Sequence, residues 1–274
     1  MPRARATLIV LAAVAAMACT SELHRLPPPL EEMAGGDTDP AGGGEEALAA
    51  AHALWSGRPD PGAVLAAAET FLDLAARSAT DELKAESLVG AARALAWLAE
   101  HESDRDRRRE LAERVVHSGQ HCTDLAPGRP HCEYWLGIGL GLHAREHPGA
   151  ALSSLAGMIE LMQRVAEGAP ELDHGGAHRV LALVFLRAPG WPFGPGDAEA
   201  GLAHARRAVE LDGEFPPNLL AAAEALERLS RREESREMYS RALEAARVLT
   251  ERGDPDGPEW AREAEKALLG RPGV

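Results

Sequence analysis

Three groups of side chains in this 274-residue sequence have the type and spacing to do chemistry. Cys122 and Cys132 stand on the two sides of one loop, each directly after a histidine, His121 and His131. In an oxidising compartment two such thiols pair, so a loop-closing disulfide is the leading expectation. Two reduced buried thiols are an open alternative. So is a zinc site, although adjacent His-Cys pairs do not have finger spacing. His143 and His147, and again His174 and His178, lie four apart, which puts two imidazoles on one helical face. No third ligand stands at a matching distance and there is no HExxH, so exposed helix-end histidines explain the first pair, while His174 and His178 are of more interest for their location.

The third group is the connection APGWPFGPGD, Ala188–Asp197, with its three prolines, three glycines, Trp191 and Phe193. Loops held on rigid scaffolds commonly carry function. On the functional reading this loop is one wall of a ligand pocket on a concave face, with His178, Arg179 and Arg187 as polar contacts. Arginines there favour an anionic ligand. On the structural reading the two aromatics fold onto the edge of the scaffold as a local plug. Nothing points to catalysis: GxSxG, P-loop, Rossmann and paired-carboxylate signatures are all absent, and no cofactor or metal is expected.

The elements that must position these residues are helices. The composition is rich in Ala, Leu, Glu and Arg, with only four Phe and two Tyr, and β-branched runs are scarce beyond the N-terminus. Apolar stripes at helical spacing run over Glu45–Gly57, Ala63–Arg77, Glu82–His101 (with Asp81 as N-cap), and from Ser103 or Asp104 to about His117. A loop, Ser118–Pro130, then precedes Cys132–His147, in which Gly137 and Gly141 share a face and let a neighbour approach closely. Pro148 opens Gly149–Ala169. His174–Arg187 and Asp197–Asp212 form the next pair, followed by helices around Leu219–Leu229 and Met238–Ala246 and a short one at Gly257–Leu269. RDRRR, from Arg105 to Arg109, reads as a wet helix face beside Asp104, Asp106 and Glu110. Ala208 and Ala242 lie 34 residues apart in related tails, ARRAVELD and YSRALEAA. Thirty-four is the period of the tetratricopeptide repeat, roughly one helical hairpin per unit. The expected fold is therefore all-α: a tetratricopeptide-like solenoid of about five hairpins with a C-terminal capping helix.

The first 44 residues belong elsewhere. Arg3 and Arg5 precede a short apolar run, Leu8–Ala16, too short to span a bilayer. Ala16-Met17-Ala18-Cys19 resembles a bacterial lipobox, so residues 1–18 are expected to be a leader and Cys19 the lipidated residue. Thr20, where Asp would retain the protein at the inner membrane, favours the outer membrane, facing the periplasm or the cell surface. Pro27-Pro28-Pro29 and the glycines up to Gly44 make residues 19–44 a tether, and 45–274 the repeat domain. The formal charge of −14 argues against nucleic acid or an anionic lipid surface as partner, leaving the lipid as the membrane link.

The stretch GGAHRVLALVFLRAPGWPFGPGDAEAGLAHARRAVEL, Gly175–Leu211, resembles lipoproteins of the TRAP-transporter T-component type, best over about residues 130–245. Such proteins have a lipidated N-terminus, degenerate tetratricopeptide repeats and a Pro/Gly insert before a GD-x-E-x-A helix. Ser230 and Ser235 depart from the repeat, which usually carries Gly and Ala there. The resemblance implies an accessory protein that partners a periplasmic solute-binding protein, with homo-oligomerisation possible. The other expectation is a non-catalytic scaffold for cell-envelope assembly.

Overall fold

The structure, a computed structural model, describes residues 43–270. The leader, Cys19 and the tether as far as residue 42 lie outside the described residues. Eleven α-helices follow in order: α1 Gly44–Trp55, α2 Pro61–Arg77, α3 Asp81–His101, α4 Arg105–Leu125, α5 Pro130–Glu146, α6 Ala151–Gly168, α7 Gly176–Arg187, α8 Ala198–Leu211, α9 Pro216–Arg228, α10 Arg232–Glu251 and α11 Gly257–Leu269. There is no strand among the described residues, nor any helix long and apolar enough to cross a membrane.

Local chemistry starts most of these helices where the sequence says. Asp60 accepts from the Gly62 amide with Pro61 at the first position, Asp104 accepts from Arg107, and Asp197 from Glu199 and Ala200. Several starts shift by two residues, to Pro61 from Ala63, Pro130 from Cys132 and Gly176 from His174, and two others differ in kind. Thr80, rather than Asp81, caps α3 by accepting from the Leu83 amide, leaving Asp81 in the first turn, where its charge suits the helix dipole. Pro148 begins a 3₁₀ turn, Pro148–Ala150, and α6 starts only after it.

Consecutive helices pack in neighbouring pairs along the whole chain, and α1 also touches α3, α3 touches α5, α7 touches α9 and α9 touches α11. That arrangement is compatible with a helical solenoid whose odd-numbered helices form one layer and whose even-numbered helices form the other. The dry core lies between the layers, around Phe71, Leu88, Leu95, Met162, Leu181 and Leu219. Each such side chain, fully removed from water, contributes about 1.5–3 kcal/mol. The closest backbone approach is between α4 and α5: a Cβ on Gly119 would stand 2.6 Å from the Leu136 Cα, and one on Gly139 2.9 Å from the Val116 nitrogen. Gly137 and Gly141 face the side chains of Met162 and Met158 on α6 instead.

The expected loop Ser118–Pro130 is mostly helix. α4 continues to Leu125, and Cys122 and Cys132, 5.2 Å apart at Cα, form a disulfide that staples α4 to α5 across the turn at 126–129. Both cysteines are buried. A group of three or more His, Cys, Asp or Glu placed to hold a metal is not found among the described residues.

Two stability outcomes follow from this architecture. The bridged residues are 10 apart; closing a loop of that length in the unfolded chain stabilises the fold by roughly 2–3 kcal/mol. Cys122→Ser with Cys132→Ser should therefore lower Tm by about 5–10 °C; an unchanged melt would show that the bridge adds nothing to the helix packing. At the end of α9, Ser230 has φ 60° and its N–H donates to Glu227, while Arg231 N–H closes on Leu226. This is a left-handed helix stop with a residue that bears a Cβ. Ser230→Gly should stabilise by roughly 0.5–1 kcal/mol in urea unfolding, and a loss would mean that the serine hydroxyl has a role the backbone does not reveal.

Candidate functional site

The odd-numbered helices curve around a central cavity of about 560 Å³, lined from α1 at one end of the chain to α11 at the other. The two ends meet across a seam made by side chains. Arg58, after α1, donates from Nε to Asp256 Oδ1 at 3.3 Å and pairs through its terminal nitrogen with Oδ2 at 3.2 Å. His101, at the end of α3, reaches Glu259 at 3.0 Å. Arg58 also lies over the Trp55 ring, 3.8 Å from its centroid.

A polar knot holds the opposite wall. The chain enters α7 through three successive left-handed residues, Asp173, His174 and Gly175. The carboxylate of Asp173 accepts from Tyr134 on α5 and from Arg179 on α7, each at 2.5 Å. Burial first, then the Asp173 charge, pushes the Tyr134 hydroxyl well above its ordinary range, so it stays a donor. Asn218, fully buried on α9, accepts from Arg179 and donates to the carbonyls of His174, Ala208 and Asp212. Arg179 is completed by the face of Phe215.

The charges of the lumen can therefore be matched one by one. Its wall carries Arg58, Arg93, Arg179 and Arg187 against Glu100, Asp173, Glu224, Asp254, Asp256 and Glu263. Arg58 takes Asp256, Arg179 takes Asp173, and Arg187 takes Glu224 through both nitrogens of its fork. Asp254 accepts from the amides that open α11. One cation and two carboxylates are left over. Arg93 meets no carboxylate among the described residues: it contacts His52 at 3.4 Å and the Trp55 ring, and its buried Nε has no partner. Burial lowers the His52 imidazole, with Arg93 adding to it, which suits a neutral acceptor. Glu100 and Glu263 have neither ion pair nor hydrogen bond among the described residues. Both line the lumen and both are exposed, and desolvation by the surrounding wall pushes both carboxyls up.

The five ligand contacts expected from the sequence separate in space. Arg179 and Arg187 stand in the lumen wall, but each is engaged by an internal carboxylate. His178 faces His204, with Nδ1 to Nδ1 at 3.0 Å; burial lowers both, so one neutral ring donates to the other. Trp191 and Phe193 are 90% and 76% exposed and belong neither to the lumen wall nor to a plug on the solenoid edge. Their loop is pinned at its neck by Asp197 N–H to the Phe185 carbonyl at 2.8 Å and by Gly196 N–H to that of Pro189. What sequence reasoning missed is the aromatic lining: Trp55, Trp97, Trp135 and Trp260, four of the five tryptophans in the chain. The legible signal was Arg93, Trp97 and Glu100, a stripe at i, i+4 and i+7 beside the apolar stripe of α3.

The raised carboxyl of Glu100 sets a direction for stability with pH. In the unfolded chain a glutamate ionises near about 4.3. The folded state holds its proton to higher pH, so stability is full below that value and falls as pH rises through the gap between the two. Glu100→Gln should therefore melt higher than wild type near pH 7, with the gap closing toward about pH 4; a lower Tm at neutral pH would reveal a hidden partner for the carboxylate. Against known proteins, no family model matches this chain, and neither does any curated protein.

Proposed function

We propose that this chain is a non-catalytic binding protein whose lumen takes a small ligand. In this reading it is an exported lipoprotein anchored at Cys19 to the outer membrane, with its helical pairs as degenerate tetratricopeptide units. It acts as an accessory subunit, T-component-like, that handles the ligand together with a periplasmic solute-binding protein. The observation that supports it best is the central cavity itself, a concave space open to solvent on one side. Its volume falls within the range of about 300–1,000 Å³ usual for small-molecule sites, its walls are aromatic, and Arg93 offers a guanidinium that no internal acid neutralises. The anionic group expected on the ligand finds its contact at Arg93 rather than at Arg179 or Arg187.

A second reading, a scaffold for cell-envelope assembly, is favoured by the loop Ala188–Asp197. Large aromatics presented to solvent on a hydrogen-bonded loop are the kind of anchor that protein partners bury. One experiment addresses both readings: capture of the tagged protein from its native membrane in mild detergent, wild type beside Trp191→Ala with Phe193→Ala. Recovery of a periplasmic solute-binding protein is the expected result for transport. Recovery of envelope-assembly proteins that the double variant loses would make the scaffold the working function and leave the lumen without one.

A further inference from the structure

The three groups left unmatched in the lumen are not scattered. Arg93, Trp97 and Glu100 share one face of α3, seven residues from end to end, which at the rise of an α-helix is about 10 Å. Arg93 lies at the pole of the lumen where its charged neighbours are Arg58 and Asp173. Glu100 and Glu263, from α3 and α11, lie at the other pole, where both feel Arg187 and Glu259; Glu100 also feels Arg145 and His101, which are engaged by Glu146 and Glu259. Trp97 lies between the poles, with one face covered by His101 at 3.8 Å. The walls are therefore polarised, cationic at one end and anionic at the other, with an indole midway.

Building on the small-ligand reading above, we propose that the ligand is a small zwitterion whose opposite charges lie about 10 Å apart: its anionic group sits on Arg93, its cationic group at Glu100 and Glu263, and its middle lies against Trp97. A simple anion would satisfy Arg93 but leave the two carboxylates of the lumen wall unmatched. A simple cation would satisfy the carboxylates and leave the Arg93 guanidinium, which lines the cavity and meets no carboxylate among the described residues, without a counter-charge. A molecule with both ends fills all three vacancies at once. Charge at the cationic pole also explains the specificity this lumen can achieve: a buried group left without its partner discriminates far more strongly than a missing methylene.

The test compares three probes of one length on the lipidated protein in mild detergent, read by tryptophan fluorescence and calorimetry. They are ω-aminooctanoate, the matching octane dicarboxylate suberate, and the matching diamine. The zwitterion is expected to bind about tenfold or more tighter than either of the others, and γ-aminobutyrate, too short to reach both poles, more weakly than the long form. Arg93→Gln should turn the preference toward the diamine, and Glu100→Gln with Glu263→Gln toward suberate, with helical circular dichroism as the check on folding. Should a variant not fold, the three-probe comparison on the wild-type protein decides. Suberate or the diamine binding as tightly as the zwitterion overturns this inference and leaves the small-ligand reading standing. No binding by any of the probes overturns both.

Discussion

The lumen depends on one ion pair, Arg58 with Asp256, which joins parts of the chain 198 residues apart. A solenoid is quasi-one-dimensional: each helical pair packs on its neighbours, and small changes in angle accumulate along its length. A tie between first and last elements holds the odd-numbered helices around one shared cavity. The Arg58 side chain is mostly buried, anchored over Trp55 and bonded to its carbonyl, so the guanidinium is already oriented before it meets Asp256. Partly buried pairs of this kind add little net stability, but removing one partner strands the other. Their effect is on shape. His101 with Glu259 is a second tie of different character: burial pulls the imidazolium down, yet the Trp97 carbonyl and Glu259 more than offset it. That tie is present below the raised value and weakens as pH rises through it.

Much of this fold was legible because helices advertise themselves locally. Asp60, Asp104 and Asp197 cap where a capping residue precedes an apolar stripe, and Ser230 stops α9 in the left-handed conformation that glycine ordinarily supplies. The lumen was not legible, for a physical reason. A one-dimensional stripe divides a helix into inside and outside, but a closed solenoid has two insides, a dry one between layers and a wet one at the centre. Leu88, Ala91, Leu95 and Leu98 mark the first on α3; Arg93, Trp97 and Glu100, which mark the second, look in sequence like an ordinary solvated face. Arg187 stands in the cavity wall, but its partner Glu224 is 37 residues away, and no spacing rule connects them.

The knot around Asp173 shows what holds the lumen's other wall in shape. Two non-glycine residues in the left-handed region each cost on the order of 1 kcal/mol or more, and here they are fixed by Tyr134, Arg179 and Asn218 acting together. Asn218 is fully buried, and its contacts reach α7, α8 and the turn beyond it, so its loss would remove a donor shared by the His174, Ala208 and Asp212 carbonyls. Strain maintained by a fully satisfied network is a rigid boundary. Asp173 and His174 line the cavity, so that rigidity is placed where a ligand would be gripped.

The division of aromatic residues follows the same logic. The chain is only 4% aromatic, so each large ring represents a choice of location. The dry core is filled mainly by Ala and Leu, which let helices approach closely, with Phe71 as its largest wholly buried member. Tryptophan is concentrated instead at the wet centre, where an indole can pack its body against the wall and still present a face to a guest, and once more on the outer loop as Trp191. The four lumen tryptophans do two things at once: each packs part of its ring against the dry core and leaves the rest in the cavity wall, so the same side chains join the two insides of the fold.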